Sequence, residues 1–171
     1  MTAEPVTAEL LHPWSVYLRA GEEARCRGDR RVGTDHILLA LLDDPAIEAL
    51  LGVTLNQARL SLDTLDQEAL EAIGMPPGID APRMPMRDVP ARPGFRAVMD
   101  KGRLRLTPAA KKVLEEAVKP LRHKTQVTGR QVLAQILNLQ APDPAAALME
   151  ALGVDRSVVR RCMEAVTADG S

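Results

Sequence analysis

The sequence predicts an all-α fold: a pseudo-twofold tandem repeat of two four-helix units packed into one compact domain. Three observations predict it. Aromatic residues are only 2% of the chain, with Trp14, Tyr17 and Phe95 the whole set, so the core must come from Leu, Val, Ile, Ala and Met. Leu and Ala also favour helix. Apolar residues recur at helical spacing between Thr, Asp, Pro and Gly punctuation. A pattern in the first half then returns in the second. Val32-Gly33-Thr34-Asp35-His36-Ile37-Leu38-Leu39-Ala40-Leu41-Leu42 lines up with Val127-Thr128-Gly129-Arg130-Gln131-Val132-Leu133-Ala134-Gln135-Ile136-Leu137, and Ala49-Leu50-Leu51-Gly52-Val53 with Glu150-Ala151-Leu152-Gly153-Val154. Each unit is too small to bury its apolar faces well alone, so the copies are expected to pack together.

The expected organisation is an N-terminal tail (1–12), a first repeat (13–74), a Pro-rich connector (75–106) and a second repeat (107–168). Pro13 suits the first turn of a helix from about Trp14 to about Gly28, striped by Trp14, Leu18, Gly21 and Ala24. Thr34 is expected to cap the next helix, with Asp35 in its first turn, where negative charge suits the dipole. Its apolar face is Ile37, Leu38, Leu41 and Leu42. Asp44-Pro45 starts a brief helix closed by Gly52. Thr54 caps a longer one striped by Leu55, Ala58, Leu62, Leu65, Ala69 and Ile73, ended by Gly74 and Pro76-Pro77. Prolines 76, 77, 82, 85, 90 and 93 then rule out a regular helix. They predict an extended connector, with Met84 and Met86 packing on the body and a loop from Phe95 to Leu106 that holds at most a short element.

Thr107-Pro108 opens the second repeat with a helix striped by Ala110, Val113, Leu114, Ala117, Val118 and Leu121, bent or shortened by Pro120. Thr128 caps a helix bearing Val132, Leu133, Ile136 and Leu137. Asp143-Pro144 starts a short helix ending at Leu152-Gly153. Asp155 caps the last, with Val158, Val159, Cys162, Met163 and Val166 inward.

Composition narrows the function classes. The formal net charge of −1 gives no global attraction to nucleic acid or an anionic membrane. The first eleven residues hold Glu4 and Glu9 and no basic apolar stretch, so no signal peptide is expected. The longest apolar run, around Ile37 to Leu42, is too short to span a bilayer. Cys26 and Cys162 without a secretory signal suggest reduced thiols and a cytoplasmic location.

No catalytic, metal or cofactor constellation emerges. His36 follows Asp35, but Leu39 and Ala40 stand at i+3 and i+4, where a second ligand would lie. A structural histidine hydrogen-bonding near the repeat junction is expected instead. His12 and His123 are isolated, the cysteines have no Cys-x-x-Cys partner, and there is no Gly-x-Ser-x-Gly elbow. The basic clusters Arg25, Arg27, Arg30, Arg31 and Lys101, Arg103, Arg105, Lys111, Lys112 suit solvated helix ends and turns. Given a function, they would meet an acidic protein surface or a phosphate group.

Val32 to Leu41 resembles the Ile-Gly-Thr-Glu-His-Leu-Leu-Leu-Ala-Leu signature of the Clp repeat. Leu106-Thr107-Pro108-Ala109-Ala110-Lys111-Lys112-Val113-Leu114 is similar to that repeat's opening Phe-Thr-x-x-Ala-x-x-Val-Leu, and Leu152-Gly153-Val154-Asp155 to its Leu-Gly-Val-Asp joint. The resemblance, to the N-terminal domain of Clp AAA+ unfoldases, implies a docking platform for substrates and adaptors. With no Gly-x-x-x-x-Gly-Lys-Ser/Thr stretch in the chain, it implies a stand-alone version without the ATPase. In some relatives the repeat's acidic residue binds phosphorylated arginine, a carboxylate pairing with guanidinium while helix-start amides hold the phosphoryl oxygens. By motif match Thr34 and Asp35 take that place. Asp is one methylene shorter than the family Glu, and ordinary helix capping is the plainer role for the pair. In the second repeat the matched residues are Gly129 and Arg130, and Arg130 reverses the charge.

The expectation is thus a non-enzymatic protein-binding module acting as adaptor, competitor or ligand sink in Clp-type degradation. Its partners would be a Clp unfoldase, an adaptor or degradation substrates, met on the surface between the repeats. The alternative is a helical nucleic-acid-binding regulator, because paired short helices can imitate a helix-turn-helix.

Overall fold

A computed structural model describes residues 10–11, 13–75, 104–119 and 127–168. Among them the chain is all-α apart from four two-residue strands. The first half carries α1 (Pro13–Arg27), α2 (Thr34–Leu41), α3 (Pro45–Leu51) and α4 (Leu55–Ala72). The second carries α5 (Pro108–Val118), α6 (Gly129–Ile136), α7 (Pro144–Ala151) and α8 (Arg156–Ala168). Strands β1 (Leu10–Leu11), β2 (Arg31–Val32), β3 (Arg105–Leu106) and β4 (Val127–Thr128) precede α1, α2, α5 and α6.

The local rules hold at most helix starts. Thr54, Thr107 and Thr128 each accept a backbone N–H three residues on. Gln57 and Gln131 reach back to the amides of Thr54 and Thr128, closing two capping boxes. Asp44 and Asp143 accept from Ala46 and Ala145, with Pro in the first turn of α3 and α7. Asp155 accepts from Ser157 and Val158. Gly52 and Gly153 close α3 and α7 at φ +68° and +67°, which glycine adopts without the Cβ penalty.

The opening strands are exchanged between the halves, which no periodicity foretold. Strand β1 pairs with β4, antiparallel, and β3 with β2, parallel. The end of the expected tail and the end of the expected connector are therefore structural. The rest of the connector, with Met84, Met86 and Phe95, lies outside the described residues, as do Pro120 and Leu121.

The two halves share one core. Helix α2 packs on α1 and α4 of its own half and on α5, α6 and α7 of the other, while α4 meets α7 and α3 meets α8. All eight α2 residues are buried, Leu39 included, so α2 has no outward face. Three further stripes need correction. In α1, Val16, Ala20 and Ala24 are buried, while Trp14 and Leu18 are only half-buried. In α4 only Ala58 and Leu62 are buried; the helix outruns the body, and Ile73 is 74% exposed. In α8 Val159 is buried, but Val158 and Cys162 face solvent, because this peripheral helix packs on one narrow side. The side chain of Val166 is not among those described.

Candidate functional site

The buried polar residues of the described chain are consecutive: Thr34, Asp35 and His36, the first turn of α2. Thr34 is not the N-cap that its residue type suggests. That position belongs to Gly33, and Thr34 is the first helical residue, 1% exposed. Its hydroxyl donates instead to Asp143 Oδ1, at 2.7 Å, across to the other repeat. Burial leaves the hydroxyl no water, so it takes the acceptor that the packing brings to it.

Asp35 turns back towards Gly33, and its Oδ1 lies 3.3 Å from His36 Nδ1. These neighbours in sequence therefore meet directly. A Cβ at position 33 would lie closer to Asp35 Oδ1 than real Cβ atoms come, so any other residue there would force the Asp35 side chain to shift. His36 Nε2 lies 3.0 Å from Asp29 Oδ2, and the Gly33 N–H points at Nδ1 at 3.0 Å. The bonds of His36 are local to the first repeat rather than at the junction. As a neutral ring, His36 accepts from Gly33 at Nδ1 and donates Nε2–H to Asp29. As an imidazolium, it donates to both carboxylates. Burial pulls the imidazole's pKa down, but the hydrogen bond and charge of Asp35, with help from Asp29, outweigh it and the net shift is upward. Burial pushes the Asp35 carboxyl up, and His36 with the backbone amides brings it net below its ordinary value.

Asp29 also joins a second cluster. Arg27 bonds Asp63 at 2.8 Å, pairs with Asp66 and lies 3.8 Å from Asp29. With Arg59 on Glu23, at 2.5 Å and 3.1 Å, it ties α1 to α4. Among the described residues, no cluster of three His, Cys, Asp or Glu side chains could hold a metal ion, and no helix is long and apolar enough to cross a membrane.

The matching turn of α6 is different. Gly129 and Arg130 stand at its first two helical positions, Gly129 buried and Arg130 half-buried. Thr128 caps it and Gln131 occupies the place of His36. A Cβ on Gly129 would lie 3.7 Å from Asp44 Oδ2. Asp44 is to α3 what Asp143 is to α7, so the symmetric junction, between Gly129 of the second repeat and Asp44 of the first, has the carboxylate of the Thr34–Asp143 bond without the hydroxyl.

The surface between the repeats contains a groove of about 490 Å³ where α4 crosses α7, lined by Ser61, Thr64, Leu65, Glu68, Ala147, Glu150 and Ala151. Small Ala147 and Ala151, one turn apart, lower the wall on the α7 side. Glu68 and Glu150, both exposed, make its rim acidic. Sequence reasoning expected partners to be met on the surface between the repeats without naming these residues; the Ala147/Ala151 spacing was the available signal of a groove.

No protein-family model matches the chain, and no curated protein matches it in sequence. Among solved structures it is similar to the N-terminal domain of the caseinolytic protease associated chaperone ClpD from Arabidopsis thaliana. That likeness has a TM-score of 0.57 and 18% identity, and covers 94% of this chain and 95% of that one. It shows that the chain has the fold of a Clp N-terminal domain.

Proposed function

We propose that this chain is a non-enzymatic protein-binding module of Clp-type degradation, acting as adaptor, competitor or ligand sink. The observation that carries the proposal is the cross-repeat groove between α4 and α7, set on a scaffold with the fold of a Clp N-terminal domain. A cleft between rigid helices orders little on binding, which suits short peptide segments. Its acidic rim, Glu68 and Glu150, favours segments that carry Lys or Arg.

Phosphorylated arginine at Thr34–Asp35 is the narrower part of the proposal. The ligand guanidinium would take the place of His36 beside Asp35, and Thr34 would exchange Asp143 for a phosphoryl oxygen. Gly129 and Arg130 offer no carboxylate, so the proposal is for one such site, not two.

Affinity capture from native lysate tests both parts. Wild type should recover a Clp unfoldase, an adaptor or degradation substrates. Ala151→Arg, which fills the groove and offsets half of its acidic charge, should lose about tenfold of that recovery. Asp35→Ala should lose only phosphoarginine-marked proteins. Recovery of none of these classes, or a salt-dependent gel shift with nucleic acid, would sink the proposal in favour of the regulator alternative.

A further inference from the structure

The exchanged strands β2 and β3 place two arginines directly opposite each other. In the parallel register Arg31 partners Arg105 and Val32 partners Leu106. Side chains alternate faces along a strand. Val32 is fully buried and Leu106 half-buried, so Arg31 and Arg105 share the outward face, and both are exposed. Arg30 adds a third exposed guanidinium next in the chain.

Like charges opposite one another across a ladder repel, and a fold normally spaces them or supplies a counter-charge. Here neither happens among the described residues: Arg31 and Arg105 have no carboxylate partner. The acids nearest Arg31 in sequence are already engaged, Asp29 with His36 and Arg27, and Asp35 with His36. The backbone beneath the pair is pinned at both ends of β3. Tyr17 Oη donates to the Leu104 carbonyl at 2.6 Å, and the Thr107 N–H donates to the Val32 carbonyl at 2.9 Å. Two forked donors therefore stand one strand spacing apart, about 4.8 Å at the backbone, on a fixed base. That separation suits both guanidiniums closing on a single oxyanion.

We propose that Arg31 and Arg105 form an anion clamp that takes one phosphate monoester or carboxylate on an acidic segment of a protein partner. The clamp rests on the protein-binding reading above, but uses a different face from the α4–α7 groove. A protein segment is favoured over nucleic acid because the patch is short, the chain's net charge is −1, and only three aromatic side chains exist to stack bases.

The test is fluorescence anisotropy on the full chain with three labelled peptides: one bearing a single phosphoserine, one with Asp and Glu instead, and one neutral. Binding that falls with added salt is expected for the phosphorylated peptide, the acidic peptide or both. Which of them binds tells whether phosphate or carboxylate is the source. Arg31→Ala and Arg105→Ala should each weaken binding about tenfold or more, and the Lys substitutions should restore only part, because Lys lacks the fork. Arg161→Ala on α8 removes the same charge elsewhere and should change nothing. The clamp is overturned if neither peptide binds, if the Arg161 variant loses as much, or if a single-stranded oligonucleotide binds more tightly than both peptides. Should the Arg31 and Arg105 variants bind the peptides as tightly as wild type while Ala151→Arg still loses its lysate partners, the clamp fails while the groove stands. Circular dichroism on each variant separates lost binding from lost fold.

Discussion

Helices α2 and α6 hold the same place in their repeats, follow matched strands and start with matched turns, yet α2 is buried all round and α6 keeps an outer face. The difference lies in a few residues. Leu39 and Ala40 of α2 correspond to Ala134 and Gln135 of α6, so α6 retains a half-buried polar side. At the helix starts, Gly33, Thr34, Asp35 and His36 correspond to Thr128, Gly129, Arg130 and Gln131. The second repeat solves its helix start locally, with a capping box. The first gives up the side-chain cap, buries three polar residues and satisfies them with one another, with Asp29 and with Asp143. A duplicated scaffold thus leaves one copy free to become the centre of the core.

The largest effect that separates the two helices should come from Leu39→Ala, which writes the α6 residue into α2. Leu39 is fully buried, so the loss should be about 2–5 kcal/mol by urea unfolding. A loss under about 1 kcal/mol would mean that α2 is not the centre of the core.

A smaller, paired effect tests the missing half of the cross-repeat bond. Thr34→Val removes the hydroxyl and leaves Asp143 short of a donor, costing about 1 kcal/mol. Gly129→Thr restores the symmetric hydroxyl beside Asp44, where a Cβ meets only ordinary contacts, and should stabilise by about 0.5–1 kcal/mol. Destabilisation by Gly129→Thr would show that the two junctions are not equivalent.

The smallest effect is a pH dependence. His36→Gln writes the α6 residue into the α2 start. The imidazole's pKa in the fold lies above its ordinary 6.5, so its contribution is whole below that value and fades as pH rises through the folded value. The Asp35 carboxyl lies below its ordinary 3.8, so its contribution is whole above that value and fades as pH falls through the folded one. The deficit of the variant relative to wild type should therefore be larger at about pH 5 than at about pH 8.5. An equal deficit at both would place the role of His36 in packing alone.

The helices were legible because their signals are local. A Thr or Asp cap, a Pro in the first turn and a closing Gly act through bonds within a few residues, and α3, α5, α6 and α7 follow them closely. Thr34 misled for the same reason: its type is a good cap, but its hydroxyl was claimed by Asp143, 109 residues away. The α4 stripe misled because periodicity shows which face is apolar, not how far the body extends to cover it. Ile73 continues the stripe into solvent.

The candidate surfaces were legible only in part. The cross-repeat interface followed from the duplication, but the groove residues depend on where α4 crosses α7. The basic clusters were visible as composition, while the pairing of Arg31 with Arg105 depends on strands 74 residues apart choosing each other.

By itself, then, the sequence determined the helical class, the duplication, the caps and the residue types available for the core, because each follows from short-range geometry repeated twice. Tertiary structure alone decided the exchange of strands, the burial of Thr34, Asp35 and His36, and the side-by-side arginines. These depend on which half packs against which, and that is settled by the shared core rather than by any local stretch of chain.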